Sequence, residues 1–194
     1  MPTVFVIPVR SFRLGKQRLG GVLNEAARVR IGQDLADHVA TTVAAAGGIP
    51  MIITADPAVA EWATLSGFPS SPDPGRGLDA AAGTGVDWAI AAGSEWVVLH
   101  ADLPLLSAGD IRLLIQVLSV GRQPISPSSD GGTSAIGGRE EFRFSFGVSS
   151  FHRHLARLTD PEVVVRVGLA LDIDSPDDLA AARQAGVGWQ SGGG

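Results

Sequence analysis

The chain has 194 residues, 45% of them apolar and 18% charged, with a formal net charge of −5 and no cysteine. These proportions describe a folded domain with room for one large core. They exclude disulfides, cysteine-bound zinc and thiol chemistry, and the acidic balance excludes an overall basic footprint for nucleic acid.

No apolar run reaches the ~18 residues of a membrane span. The opening MPTVFVIPVR is too short and too strand-like for a signal peptide. A cytoplasmic protein without a membrane or nucleic-acid partner is therefore expected.

The apolar run Val4 to Val9 reads as a buried strand. A polar stretch, Arg10 to Gly21, follows it and carries Arg10, Arg13, Lys16 and Arg18. Asn24 has the character of an N-cap, and Glu25 to Ala46 reads as a long helix ended by Gly47 and Gly48. Pro50 to Thr54 is a second strand, and Pro57 to Ser66 a helix stopped at Gly67. Asp73 to Gly77 is a loop on its turn residues. Leu78 to Ala92 is alanine-rich and helical despite Gly83 and Gly85. Trp96 to His100 is a strand running into Ala-Asp-Leu-Pro, and Ser107 with Asp110 forms a capping box ahead of a helix over Ile111 to Val120.

Beyond Gly121 the pattern changes. Short strands are expected at Pro124–Ile125 and Thr133–Ile136, with a turn at Gly131–Gly132 between them. Phe142 to Phe146 alternates as a half-buried strand does. Ser149 to Leu158 is a helix candidate, and Leu169 to Ile173 a strand ending in acids. Ser175 and Pro176 open a last helix, with Asp177 and Asp178 in its first turn, where they suit the helix dipole. A single domain over 1–187 is expected, followed by a flexible tail over 188–194, which is glycine-rich and has little to pack.

Strand and helix alternate through most of the chain. That predicts an α/β fold, a mostly parallel sheet with helices on both faces. Ligands of such sheets gather at the carboxyl ends of the strands, so the residues just after each strand are the candidates. The loop after the first strand offers Arg10, Lys16 and Arg18 to phosphate oxygens; it is neither a Walker A nor a GxGxxG sequence, and its alternative reading is a solvated surface loop.

Asp102 stands at a strand end, where a carboxylate suits magnesium held against nucleotide phosphates; the alternative is a turn cap. His100 shares that side of the pleat and reads as a packed histidine. Asp172 and Asp174 are two apart, on one side of the expected strand, and two carboxylates there repel unless a cation or donors intervene. Gly147, ahead of a helix start, leaves free N–H groups for an anion, and Ser149 or Ser150 either caps the helix or binds substrate. His152 and His154 are too poorly aligned on a helix for a metal pair, but His154 stands near the expected anion.

Six segments, IPVRSFRLGKQRL, GRGLDAAAG, HADLPLL, DGGTSAI, FGVSSFHRH and LDIDSPDDL, occur in this order between Ile7 and Leu179. On them the chain resembles the 2-phospho-L-lactate guanylyltransferase family, including its phosphoenolpyruvate guanylyltransferase branch, which serves biosynthesis of the deazaflavin coenzyme F-420. The resemblance implies a nucleotide-diphospho-sugar-transferase-like fold of GT-A, Rossmann-like type. It implies transfer of GMP from GTP to phosphoenolpyruvate or 2-phospho-L-lactate, with magnesium on Asp102 and Asp172. It places Lys16 and Arg18 on the GTP phosphates, with Arg10 in the same basic loop. Gly77 and Asp79 fall near the nucleoside, and Thr133, Gly147 and Ser150 around the carboxylate of the acid.

The chain departs from the family pattern in places. Arg10 replaces Lys, a planar fork for a point charge. Asp79 and Ser134 stand where Asn is usual, and Ser128–Ser129 replaces a more charged stretch. These changes touch the substrates more than the reaction type. The rival readings are a MobA-like or sugar-phosphate nucleotidyltransferase, which would open on a more glycine-rich segment, and a non-catalytic nucleotide-binding relative, which would lack the metal acids.

Overall fold

β1 (Thr3–Pro8) is buried along almost its whole length because it runs through the middle of the sheet. A computed structural model describes residues 1–186, so the tail expected at 188–194 lies outside the described residues. The remaining strands are β2 (Ile49–Thr54), β3 (Ser70–Pro72), β4 (Glu95–Leu99), β5 (Gln123–Pro127), β6 (Thr133–Gly138) and β7 (Pro161–Val163). Their order across the sheet is β3-β2-β1-β4-β6-β5-β7. β1 pairs in parallel with β2 and β4, while β6 runs antiparallel to both β4 and β5.

The helices are α1 (Glu25–Ala45), α2 (Pro57–Leu65), α3 (Leu78–Ala91), α4 (Ala108–Ser119), α5 (Ser150–Leu155), α6 (Val167–Ala170) and α7 (Pro176–Gln184). Successive side chains of β1 go to opposite faces. Phe5 and Ile7 pack in one core with Val39 and Val43 of α1 and Ile111 and Leu114 of α4. Val4 and Val6 pack in the other with Ala81, Val86 and Ala89 of α3. A strand covered on both faces has no polar side, which is why β1 reads as an unbroken apolar run. One of the two glycines in α3 has its reason here: a Cβ at Gly85 would run into the side chain of Val6, so its absence lets the helix lie close on the sheet.

The helix starts follow their capping residues. Asn24 Oδ1 accepts from the Ala27 amide at 2.9 Å, and Ser107–Asp110 and Ser175–Asp178 both close reciprocal capping boxes. Asp178 is thus occupied in structure. Among the described residues, no helix is long and apolar enough to cross a membrane.

Two expected strands do not form. Phe142 to Phe146 has no regular secondary structure and joins no ladder. Phe144 meets Trp96 of β4 edge-on, with centroids 5.8 Å apart, and Phe146 stacks on Phe144 at 5.5 Å. The alternation reported one-sided burial; side chains, rather than a neighbouring strand, take up the backbone groups. The Ser145 amide donates to His154 Nε2 and the Phe146 amide to Asp79 Oδ1.

Leu169 to Ile173 is likewise not a strand. Its start lies in the single turn of α6, and the rest is an extended segment held by the Ile173 amide on the carbonyl of Asp102 at 3.2 Å. β3 and β7, unforeseen in the sequence, are three residues each and lack an apolar run.

Candidate active site

The carboxyl ends of β1, β4 and β5 and the start of antiparallel β6 meet at one edge of the sheet. A cleft of about 520 Å³ opens there. Arg10, Lys16, Arg18, Asp102, Thr133, Gly147, Ser150 and Asp172 all line it. Gly77 and Asp79 do not. Gly77, at φ +91°, turns the chain into α3, and Leu78 reaches the cleft between them. Asp79 instead receives the Phe146 amide at 2.7 Å and so tethers the segment leading to Gly147.

The basic loop is positioned by Leu19. This residue is fully buried and packs with Ile31 and Leu35 of α1 and with Ile173, Leu179 and Ala182 near the other end of the described chain. Burying Leu19 in the short 3-10 turn Gln17–Gly21 leaves Lys16 and Arg18 at the cleft. Lys16 adopts a left-handed backbone, φ 54°, a conformation that is uncommon outside glycine. Its Nζ donates to Asp102 Oδ2 at 2.6 Å and to Asp174 Oδ1 at 3.2 Å.

Burial acts to lower the Lys16 pKa, but the charges of Asp102 and then Asp174 outweigh it and hold it above its ordinary value. Burial pushes the Asp102 carboxyl up, yet Lys16 holds it below the usual carboxylate range. Asp172 has no such partner. Burial first and the neighbouring Asp102 next push its pKa up to about 6.

Asp172 and Asp174 do share the cleft, as their spacing implied, although the segment carrying them is extended chain outside the sheet. Ile173 between them points into the core. His100 is packed as expected, against Phe146, but it also faces the cleft. It lines the cleft, its Nε2 is buried without a hydrogen-bond partner, and one of its ring nitrogens lies with carboxylate oxygens of Asp102 and Asp172 in a set whose members are all within 4.8 Å of one another. The signal was its place two residues before Asp102 at the end of β4.

On the opposite wall, Thr133 Oγ1 lies 3.2 Å from Ser150 Oγ and 2.9 Å from His154 Nδ1. His154 is fully buried and touches the cleft residues Thr133, by a hydrogen bond, and Phe146, edge-on at 4.9 Å between centroids. Because the Ser145 amide donates to Nε2 at 2.9 Å, the neutral ring carries its hydrogen on Nδ1 and donates it to Thr133. The Thr133 hydroxyl then has its own hydrogen to give, to Ser150 or to an anion in the cleft. Burial first, and the Arg157 charge next, lower the His154 pKa to about 4, which keeps the ring neutral.

A strand-end cleft with acids on one wall, a basic loop across it and hydroxyl donors opposite suits the handling of a nucleotide phosphate and an anionic acceptor. Fold and site together are those of a nucleotidyltransferase. A crystal structure from Desulfovibrio desulfuricans G20 assigned to the nucleotide-diphospho-sugar transferases superposes with a TM-score of 0.80, covering 99% of this chain and 90% of that one at 16% identity, a likeness of fold. The chain belongs to the guanylyl transferase CofC-like family, whose model matches residues 3–190.

Among its relatives is a phosphoenolpyruvate guanylyltransferase from Rubrobacter xylanophilus, 34% identical over 196 residues and covering 96% of each chain. Another is a 2-phospho-L-lactate guanylyltransferase from Methanopyrus kandleri, 29% identical over 94% of this chain and 92% of that one.

Proposed function

We propose that this protein transfers GMP from GTP to the phosphate of a small phosphorylated acid, releasing pyrophosphate, in a magnesium-dependent step of deazaflavin coenzyme biosynthesis in the cytoplasm. The observation that carries the reading is the convergence, in one cleft, of Asp102 and Asp172, the Lys16–Arg18 loop and the Thr133–Ser150 donors. Phosphoenolpyruvate is the favoured acceptor and 2-phospho-L-lactate the second, following the names of the relatives and their respective identities.

The donor set suits a divalent cation. Lys16 covers Asp174 and one oxygen of Asp102, while Asp172 is left beside Asp102 with its pKa raised by burial first and by that neighbour next. Asp102 and Asp172 would hold the ion, which would supply Lewis-acid neutralisation of phosphoryl charge.

Lys16 and Arg18, with Arg10 beside them, bind the triphosphate and orient it for departure of the pyrophosphate. The acceptor's phosphate oxygen attacks the α-phosphorus in line. A bond forms between that oxygen and phosphorus, the bond to the oxygen bridging the α- and β-phosphorus breaks, and its electron pair leaves on pyrophosphate. The nucleophile is already an anion, so no residue need remove a proton from it. The protein's work is positioning and charge neutralisation. Thr133 and Ser150 hydroxyls and the backbone at Gly147 receive the acceptor's carboxylate, and Leu78, set by the turn at Gly77, borders the nucleoside.

The test supplies GTP and magnesium with phosphoenolpyruvate, 2-phospholactate or 3-phosphoglycerate in turn and identifies the product by mass. A guanylated diphosphate of the first or second acid is expected. Turnover confined to ATP or CTP with a sugar phosphate would refute the assignment.

A further inference from the structure

We infer that His100 is a nitrogen ligand to the same divalent ion, and that it turns the site's preference from magnesium toward manganese and neighbouring first-row metals. The inference rests on the metal reading of Asp102 and Asp172 given above. His100 directly follows β4, and its amide donates to the Ser134 carbonyl at 3.0 Å, so the strand geometry carries one residue past its end. The chain bends at Ala101, and His100 and Asp102 both line the cleft. Phe146 flanks the imidazole, with ring centroids 5.7 Å apart, and limits its rotation.

Three observations set His100 apart. Among the described residues, three buried side-chain polar atoms lack a hydrogen-bond partner, and of these only His100 Nε2 belongs to a residue of the cleft. Burying a polar atom unpaired is costly. The donor atoms of His100, Asp102 and Asp172 lie within 4.8 Å of one another. Two ligands on opposite sides of one ion, each at about 2.1 Å, stand about 4.2 Å apart, so small side-chain rotations close the set.

Finally, Lys16 already pairs with Asp174. Lys16 also holds one oxygen of Asp102, so the donors left are the other Asp102 oxygen, Asp172 and the His100 imidazole, a mixed oxygen and nitrogen set. Magnesium favours oxygen donors throughout, whereas imidazole nitrogen suits the first-row transition metals.

The experiment uses manganese alone as probe, added to the full-length protein after chelator treatment and followed by electron paramagnetic resonance. The expected result is bound manganese with nitrogen hyperfine coupling in the pulsed spectrum, changed when the histidines carry ¹⁵N and lost in His100→Gln. Manganese affinity should fall about tenfold or more in that variant while magnesium affinity changes little. The wild-type spectrum decides the matter even if the variant folds poorly. Manganese bound without nitrogen coupling overturns this inference alone. Failure of manganese to bind at all, with or without GTP, removes the metal reading and this inference together.

Discussion

Acidification should loosen the acceptor wall from behind, through His154. The ring is fully buried, accepts the Ser145 amide on Nε2 and donates from Nδ1 to Thr133. Protonating it puts a hydrogen on Nε2 against that amide and a charge where none is solvated. Arg157 and Arg153 add to the cost, and Asp79 partly offsets it.

Its pKa is lowered from 6.5 to about 4 by burial first and Arg157 next, so between these values the unfolded chain binds more protons than the folded one. Stability from this residue is therefore complete above about pH 6.5 and falls as pH drops toward 4. The gap corresponds to about 3 kcal/mol, at 1.36 kcal/mol per pH unit.

The comparison is with His154→Gln, whose amide can accept from Ser145 and donate to Thr133 without titrating. Urea unfolding of both proteins, followed by tryptophan fluorescence at pH 7, 5.5 and 4, isolates the effect, since other titrating groups are shared. The wild type should lose about 2–3 kcal/mol relative to the variant over this range. Parallel stability curves would refute the argument.

Asp102→Asn and Asp172→Asn should each abolish most turnover while circular dichroism stays unchanged; near-normal magnesium-dependent activity in both would remove the two-ligand assignment. Lys16→Ala and Arg18→Ala should each cost about 1.5–3 kcal/mol of nucleotide interaction, seen as a larger rise in KM for GTP than for the acid, and the reverse pattern would contradict the loop's role. Thr133→Val should raise the KM for the acid by about five- to tenfold through loss of one hydroxyl and leave that for GTP nearly unchanged; equal effects on both would place the acceptor elsewhere.

The parts of the fold legible in the sequence were those whose signal is local. β1 showed as an apolar run, and Asn24, Ser107 and Ser175 announced their helices because a cap needs only residues three apart. Phe142 to Phe146 misled because alternation records which side is buried and says nothing about a hydrogen-bonding neighbour. The same rule gave the shared side of Asp172 and Asp174 correctly even though no strand forms there.

Within the site, Lys16, Arg18 and Asp102 stood out by following strands. Their partners did not: the bonds of Lys16 to Asp102 and Asp174 join segments far apart in the chain. The cleft side of His100 is hidden in the sequence because an imidazole beside a strand suits a core as well as a cleft. Asp79 was expected near the nucleoside, yet its visible task is to hold the Phe146 backbone.

Lys16 also fixes when the site can exist during synthesis. The basic loop is made early, but the groups that settle it, Asp174 for its ammonium and Ile173 and Leu179 around Leu19, leave the ribosome long after it, Asp174 by 158 residues. Until then β1, β2 and β4 can pair while the loop has neither its distant acid nor its apolar seat. A growing chain therefore carries most of its sheet before it carries a finished nucleotide pocket, and the closing event is the docking of the Leu171–Asp174 segment onto the carbonyl of Asp102. A ribosome stalled before that segment emerges would display a folded sheet unable to hold GTP in register.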